Sequence, residues 1–262
     1  MSSRAAPWPY PRWVAHRGAG KLAPENTLAA FRLGARFGYR MFECDVKLSA
    51  DGVPFLLHDA NLARTTDIAA TNDARGGDAG LSNTAGNNTW ADLATLDAGR
   101  WHSRNYAGEP LPSLAHIASF CLRNDFFLNI EIKPTPGTER HTGEVVAEHA
   151  ARLWRTANAP PLMTSFDPEA LAGAMAKAPA LPRGLLLDAP HPDWLKVASE
   201  LGCQAMVCNQ AMWNLDTVAQ AKAAGLRTSS YTVNDDWAAQ RLIALGTDSI
   251  ITDRVDFFSP GG

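Results

Sequence analysis

Two acidic residues stand one position apart in an otherwise apolar run, Met41-Phe42-Glu43-Cys44-Asp45-Val46-Lys47-Leu48. The run reads as a strand, with Ala50-Asp51-Gly52 as a turn behind it. Side chains alternate faces along a strand, so Glu43 and Asp45 point one way while Phe42, Cys44 and Val46 point the other. Two carboxylates side by side in apolar surroundings repel each other and lose hydration. That is costly unless a cation or strong donors lie between them. One reading is a solvated edge strand with a charged outer face. The favoured reading is a divalent-metal site on oxygen ligands, because parallel strands in a chain of this type are buried on both faces.

Other groups able to do chemistry sit at the ends of other predicted strands. The first strand ends in His16-Arg17, and a short extended piece delivers His58-Asp59. A third run carries Asn129, Glu131 and Lys133 on one face by the period of two. Later strands end at Thr164-Ser165, at Tyr231 and Asn234, and at Asp253-Arg254. Glu43, Asp45 and Glu131 offer oxygen only, which suits Mg²⁺ or Ca²⁺ better than Zn²⁺. His16 and His58 could be ligands of a zinc or manganese site instead. Two histidines flanking a metal-bound centre are also a means of moving protons in both directions. A lone histidine is more often a satisfied core or loop residue; a shared rim favours the chemical role. Arg17 and Lys133 then serve as cationic partners for an anion, with pairing of Lys133 to Glu131 as the alternative. Metal, two cations and an acid/base pair together fit phosphate-ester chemistry.

These groups converge only if the strands share one end of one sheet. Strands are predicted to start near Trp13, Met41, Phe126, Leu162, Arg183, Ala205, Arg227 and Ser249. Helices are expected at residues 27–37, with Asn26 as cap, and at 113–123, 142–154, 168–177, 193–201, 215–224 and 236–245. Strand–helix alternation implies a parallel sheet. Eight units in 262 residues imply a closed (β/α)8 TIM barrel, whose usual length is about 250 residues. The competing open, doubly wound sheet would favour a glycine fingerprint after the first strand, and Gly18-Ala19-Gly20 is half of one at most. Residues 60–112 are rich in Asn, Gly, Thr, Asp and Ala. They read as an insertion within a single domain spanning 1–262, lying over one mouth of the barrel, with a short helix near 90–96.

Composition narrows the classes. Net charge is −3 and Lys and Arg form no long cluster, so nothing points to nucleic acid. No apolar run approaches the roughly 20 residues of a membrane span. Residues 1–9 lack the apolar centre of a signal peptide and read as a lead-in arm. Cys44, Cys121, Cys203 and Cys208 have no C-x-x-C spacing, so buried reduced thiols and a cytoplasmic location are expected.

The motifs resemble those of glycerophosphodiester phosphodiesterases. They are His16-Arg17-Gly18, Pro24-Glu25-Asn26-Thr27, Glu43-x-Asp45-Val46-x-Leu48, Asp51-Gly52 and His58-Asp59-x-x-Leu62-x-Arg64-Thr65-Thr66. The likeness continues through Leu96-Asp97-Ala98-Gly99, Gly108-Glu109-x-Leu111-Pro112, Asn129-Ile130-Glu131-Ile132-Lys133, Ser165-Phe166, Thr232-Val233-Asn234 and Gly246-Thr247-Asp248 to Asp253. The resemblance implies a (β/α)8 barrel with an insertion after the second strand. It implies that Glu43, Asp45 and Glu131 hold one divalent cation, that His16 and His58 are the acid/base pair, and that Arg17 and Lys133 contact the phosphate. The implied substrate is a small glycerophosphodiester, such as glycerophosphocholine or glycerophosphoethanolamine, split into sn-glycerol 3-phosphate and an alcohol. Tyr231 departs from the Trp frequent among relatives, and residues 73–89 look longer and more polar than the usual insert. The alternatives are a sphingomyelinase D-like phospholipase and a non-catalytic phosphodiester-binding module. Stable membrane insertion is not expected, and the sequence leaves homo-oligomerisation open.

Overall fold

Strand and helix alternate around the barrel, and each strand of the ring pairs with the ring strand before it. The computed structural model describes residues 8–76 and 80–260. Most of the expected lead-in arm, residues 1–7, lies outside them, as do residues 77–79 of the insertion. The strands are β1 (Trp13–Ala15), β2 (Met41–Leu48), β3 (Pro54–Leu56), β4 (Phe127–Ile132), β5 (Leu162–Ser165), β6 (Arg183–Leu187), β7 (Ala205–Asn209), β8 (Arg227–Tyr231) and β9 (Ser249–Thr252). All but β3 are parallel to their neighbours. The ring runs β1-β2-β4-β5-β6-β7-β8-β9 and closes from β9 back onto β1. Closure gives the expected (β/α)8 barrel and removes the open-sheet alternative.

β1 is short and meets β2 only at Ala15 opposite Phe42. The upper half of β2 therefore has a free edge, which β3 takes in antiparallel register, Val46 opposite Leu56 and Leu48 opposite Pro54. The extended piece expected at 53–57 is this outer strand, and from its end the chain enters the insertion.

The helices are α1 (Leu28–Arg36), α2 (Ile68–Arg75), α3 (Trp90–Leu93), α4 (Leu114–Arg123), α5 (Glu139–Leu153), α6 (Pro168–Lys177), α7 (Trp194–Glu200), α8 (Leu215–Ala223) and α9 (Asp236–Leu245). One cap differs from expectation. Thr27, not Asn26, caps α1, its side chain accepting from the Ala30 N–H. Asn26 stands one residue earlier with φ +59° and turns its amide into the barrel instead. Helix α2 was not expected, because only Ile68 of its eight residues is buried and no apolar stripe marks it.

Every residue of β2 is buried, which rules out the solvated-edge reading. Phe42, Cys44, Val46 and Leu48 pack beneath the helices with Phe31, Leu114 and Ile117. Met41 joins Tyr10, Val14, Leu162, Leu186, Val207 and Ile251 in the barrel interior, with Trp8 against them. Phe55 of β3 and Leu57 form a cluster with Leu62, Ile68, Leu93, Leu96 and Leu111 of the segment that follows. All four cysteines are buried and unpaired.

Helices α5 and α6 cross with almost no space between them. A Cβ at Gly143 would lie 1.9 Å from the Ala170 carbonyl oxygen, and one at Gly173 2.1 Å from that of Arg140. Gly143→Ala is expected to force the pair apart and cost about 1–3 kcal/mol, read as a lowered midpoint in thermal or urea unfolding.

Candidate active site

The ladder between β2 and β4 sets the centre of the site. Glu43 lies opposite Asn129 and Asp45 opposite Glu131. Both strands present alternate residues to the interior, so the three acids meet near the carboxyl ends of their strands, where such barrels place their chemistry. Each acid offers one oxygen, and the three oxygens lie within 4.8 Å of one another. Glu43, Asp45 and Glu131 are 2%, 1% and 8% exposed.

Three buried carboxylates this close cannot all stay ionised without help. Burial pushes the Glu43 carboxyl well above its usual range, and Asp45 and Glu131 add to the shift. Burial, with Asp45 beside it, pushes Glu131 up to about 7 despite Lys133. Burial pulls the same way on Asp45, but Arg17, Lys133 and His58 outweigh it and hold that carboxyl below the usual range. Arg17 Nε stands 3.2 Å from Asp45 Oδ2, and Lys133 Nζ 3.7 Å from Asp45 Oδ1 and 2.5 Å from Glu131 Oε1. The sequence alternative for Lys133, pairing with Glu131, is thus met in a position that also reaches Asp45. Asn26 Nδ2 donates to Asp45 Oδ2 at 2.8 Å, and Asn26 Oδ1 accepts from the Asp45 N–H. Arg17, at φ +49°, donates its backbone N–H to Glu43 Oε2 at 3.0 Å. Glu43 Oε1 is buried with no donor at all. An orphaned carboxylate oxygen among two other acids fits a hard cation, and the all-oxygen donor set suits Mg²⁺ or Ca²⁺ rather than zinc.

The histidines flank this centre, each held by a carboxylate. His16 Nδ1 is 2.6 Å from Asp253 Oδ1, which leaves Nε2 facing the acids, 3.8 Å from Glu43 Oε2. Asn234 grips Asp253 twice, donating from Nδ2 to Oδ2 and accepting the Asp253 N–H. Gly20, at φ +58°, lets the loop after β1 lie against Asp253, where a Cβ would come within 2.2 Å of its carbonyl oxygen. His58 Nδ1 is 2.8 Å from Asp59 Oδ1. Burial holds the His58 imidazole below the ordinary histidine range. A carboxylate on one ring nitrogen fixes the tautomer and aims the other nitrogen.

His16, Arg17, Glu43, His58, Glu131 and Lys133 line a cavity of about 150 Å³. Its far wall is Phe166, Leu186, Tyr231 and Ile251. Lys133 Nζ lies 5.2 Å from the Phe166 ring centre. Tyr231 commits its hydroxyl to the Leu187 carbonyl at 3.1 Å, so the wall presents its ring rather than its polar tip.

The structure therefore gathers all seven sequence candidates. It adds Asn26, Asp59, Asn234 and Asp253 as residues that hold them. Each of these four lies inside a motif named above, but only the register shows what its side chain reaches. Asn26→Ala would strip Asp45 of a donor and its N–H of an acceptor. The expected loss is about 1–3 kcal/mol of stability, measurable by chemical denaturation.

Comparison with known proteins gives the family. The family model described as the glycerophosphoryl diester phosphodiesterase family matches residues 16–257. A glycerophosphodiester phosphodiesterase of Caldanaerobacter subterraneus is 29% identical over 248 residues, covering 92% of this chain and 93% of that protein. A mouse glycerophosphoinositol inositolphosphodiesterase is 47% identical over 93 residues, a match that spans 36% of this chain and 16% of the mouse protein. Among solved structures, an Oleispira antarctica phosphodiesterase in complex with its product sn-glycerol-3-phosphate superposes with a TM-score of 0.81. Its identity is 31%, and 93% of each chain is covered. A structure from Silicibacter pomeroyi has a TM-score of 0.78 at 27% identity, over 92% of this chain and 89% of that one. The chain belongs to the glycerophosphoryl diester phosphodiesterase family and is an enzyme of that class.

Proposed function

We propose that this enzyme hydrolyses small glycerophosphodiesters, such as glycerophosphocholine and glycerophosphoethanolamine, to sn-glycerol 3-phosphate and an alcohol. The observation that carries the reading is the cluster of Glu43, Asp45 and Glu131, with an unpartnered buried oxygen on Glu43, between two carboxylate-held histidines. Glu43, Asp45 and Glu131 would hold one divalent cation, Mg²⁺ or Ca²⁺. Such an ion, when bound, supplies Lewis-acid charge to a non-bridging phosphate oxygen.

The residues of the chain do the rest. Arg17 and Lys133 border the acids on the cavity side and are placed to take charge from the phosphoryl oxygens. His58, its Nδ1 held by Asp59 and its imidazole held by burial below the ordinary histidine range, accepts the proton of the nucleophile. His16, aimed by Asp253, protonates the departing alkoxide oxygen. The nucleophile is water, or the neighbouring glycerol hydroxyl by way of a cyclic phosphate; the vicinal group has a large proximity advantage. Phe166, Leu186 and Tyr231 border the cavity on the side away from the acids and offer the diester an apolar surface. No helix among the described residues is long and apolar enough to cross a membrane. A cytoplasmic location, expected from the unpaired buried thiols, belongs to the same proposal.

A coupled assay for glycerol 3-phosphate over a panel of glycerophosphodiesters, with sphingomyelin and lysophosphatidylcholine included, tests the reading. Turnover of the small diesters that stops with EDTA and returns with Mg²⁺ or Ca²⁺ is expected. Release of glycerol 3-phosphate from no substrate, or turnover indifferent to chelator, would overturn it. His16→Ala and His58→Ala should each lose about two to four decades in kcat, and wild-type rates in both would remove them from proton transfer.

A further inference from the structure

The side chain of Arg64 lies outside the cavity, yet it joins the two carboxylates that hold catalytic groups. Its Nε donates to Asp59 Oδ2 at 2.7 Å and its Nη2 to Asp59 Oδ1 at 3.0 Å. Its Nη1 donates to Glu25 Oε2 at 2.8 Å and its Nη2 to Glu25 Oε1 at 2.7 Å. Asp59 Oδ1 is the atom that meets His58 Nδ1, and Glu25 Oε1 is the atom that accepts from Arg17 Nη1 at 2.8 Å. An unbroken chain of contacts thus runs His58–Asp59–Arg64–Glu25–Arg17–Asp45. It links one edge of the acid cluster to one of the histidines from behind.

An exposed ion pair ordinarily contributes little, and the Arg64 side chain is 43% exposed. Arg64 is not such a pair. Two forks on one planar group fix both carboxylates in orientation, and a guanidinium gains geometry from this where an ammonium would not. The indole of Trp101, farther along the insertion, covers the same guanidinium at 6.0 Å. The insertion is tied to the β1–α1 loop at one further point and to the first turn of α1 at another. His102 Nε2 lies 3.0 Å from the Lys21 carbonyl oxygen, and Glu109 Oε1 accepts from the Ala29 N–H at 2.9 Å.

We propose that Arg64 is a positioning residue that sets His58 and Arg17 relative to each other, and that through it the inserted segment braces the catalytic rim. The proposal rests on the hydrolytic reading above for its kinetic part only. It requires that loss of the double fork let the Asp59 carboxylate rotate, so that the His58 ring no longer keeps a single tautomer and aim. Arg17 should loosen in the same step, because Glu25 loses the partner that holds its second oxygen.

The test uses the full chain with Mg²⁺ and glycerophosphocholine. Arg64→Gln should lower kcat about 10–100-fold, the usual cost of losing a group that orients a catalytic residue. Combining it with Asp59→Asn should cost no more than the worse single variant within threefold, because both cut one chain. A kcat for Arg64→Gln within threefold of wild type, or losses that multiply in the double variant, overturns the proposal. If Arg64→Gln does not fold, Arg64→Lys, which keeps the charge but not the forks, carries the same test with the same threefold limit. The ring nitrogens of His58, read by ¹⁵N NMR in the substrate-free chain, supply a readout independent of turnover. One tautomer in wild type and a mixture in the variant is expected; identical spectra overturn the proposal. If wild type releases no glycerol 3-phosphate from any diester, the hydrolytic reading falls while the NMR comparison still decides the role of Arg64.

Discussion

The structure turns on a repulsion. Three carboxylates share one end of a closed barrel, all but cut off from water, and each makes its neighbours harder to ionise. Most of the polar architecture around them is compensation. Arg17 and Lys133 approach Asp45 from two sides, Asn26 caps it from behind, and the Arg17 backbone takes one oxygen of Glu43. The loop after β1 follows from this demand. It places two non-glycine residues, Arg17 and Asn26, at positive φ, and such conformations cost about 1–3 kcal/mol each. What the loop gains is a backbone donor and a buried amide aimed at the acids. Glu43 Oε1 remains without any donor, and that residual demand fits a cation.

The barrel was legible because its signal is repetitive. Eight apolar runs separated by helical patterns leave few topologies open, and boundaries such as Pro168–Lys177 and Asp236–Leu245 are set by Pro, Gly and Asp at their ends. The seven candidate residues were legible for a related reason. Polar side chains interrupt runs that must be buried, so Glu43, Asp45 and Glu131 stand out against their own strands.

What the sequence hid was partnership across chain distance. Nothing local to Asp253 says that it will meet His16, 237 residues away. Asn26 looked like a helix cap because its type is right for one, yet it turns inward while Thr27 caps α1. Tyr231 stood out as a departure from the usual Trp, and only the folded barrel shows its hydroxyl engaged with the Leu187 carbonyl at the end of β6. Helix α2 escaped because a helix lying on an insertion, with a single buried residue, needs no amphipathic stripe. In each case the missing information was register or tertiary placement rather than residue type.

The aromatic and aliphatic floor of the barrel has a consequence for traffic. Tyr10, Val14, Met41, Leu162 and Val207 stop the interior below the acids, and Trp8 packs against them from beneath. Among the described residues, this packing closes the interior on the side below the acids. Approach to the acids is then from the side lined by His16, Arg17, His58 and Lys133, so an arriving diester and a departing fragment share the space those four side chains border.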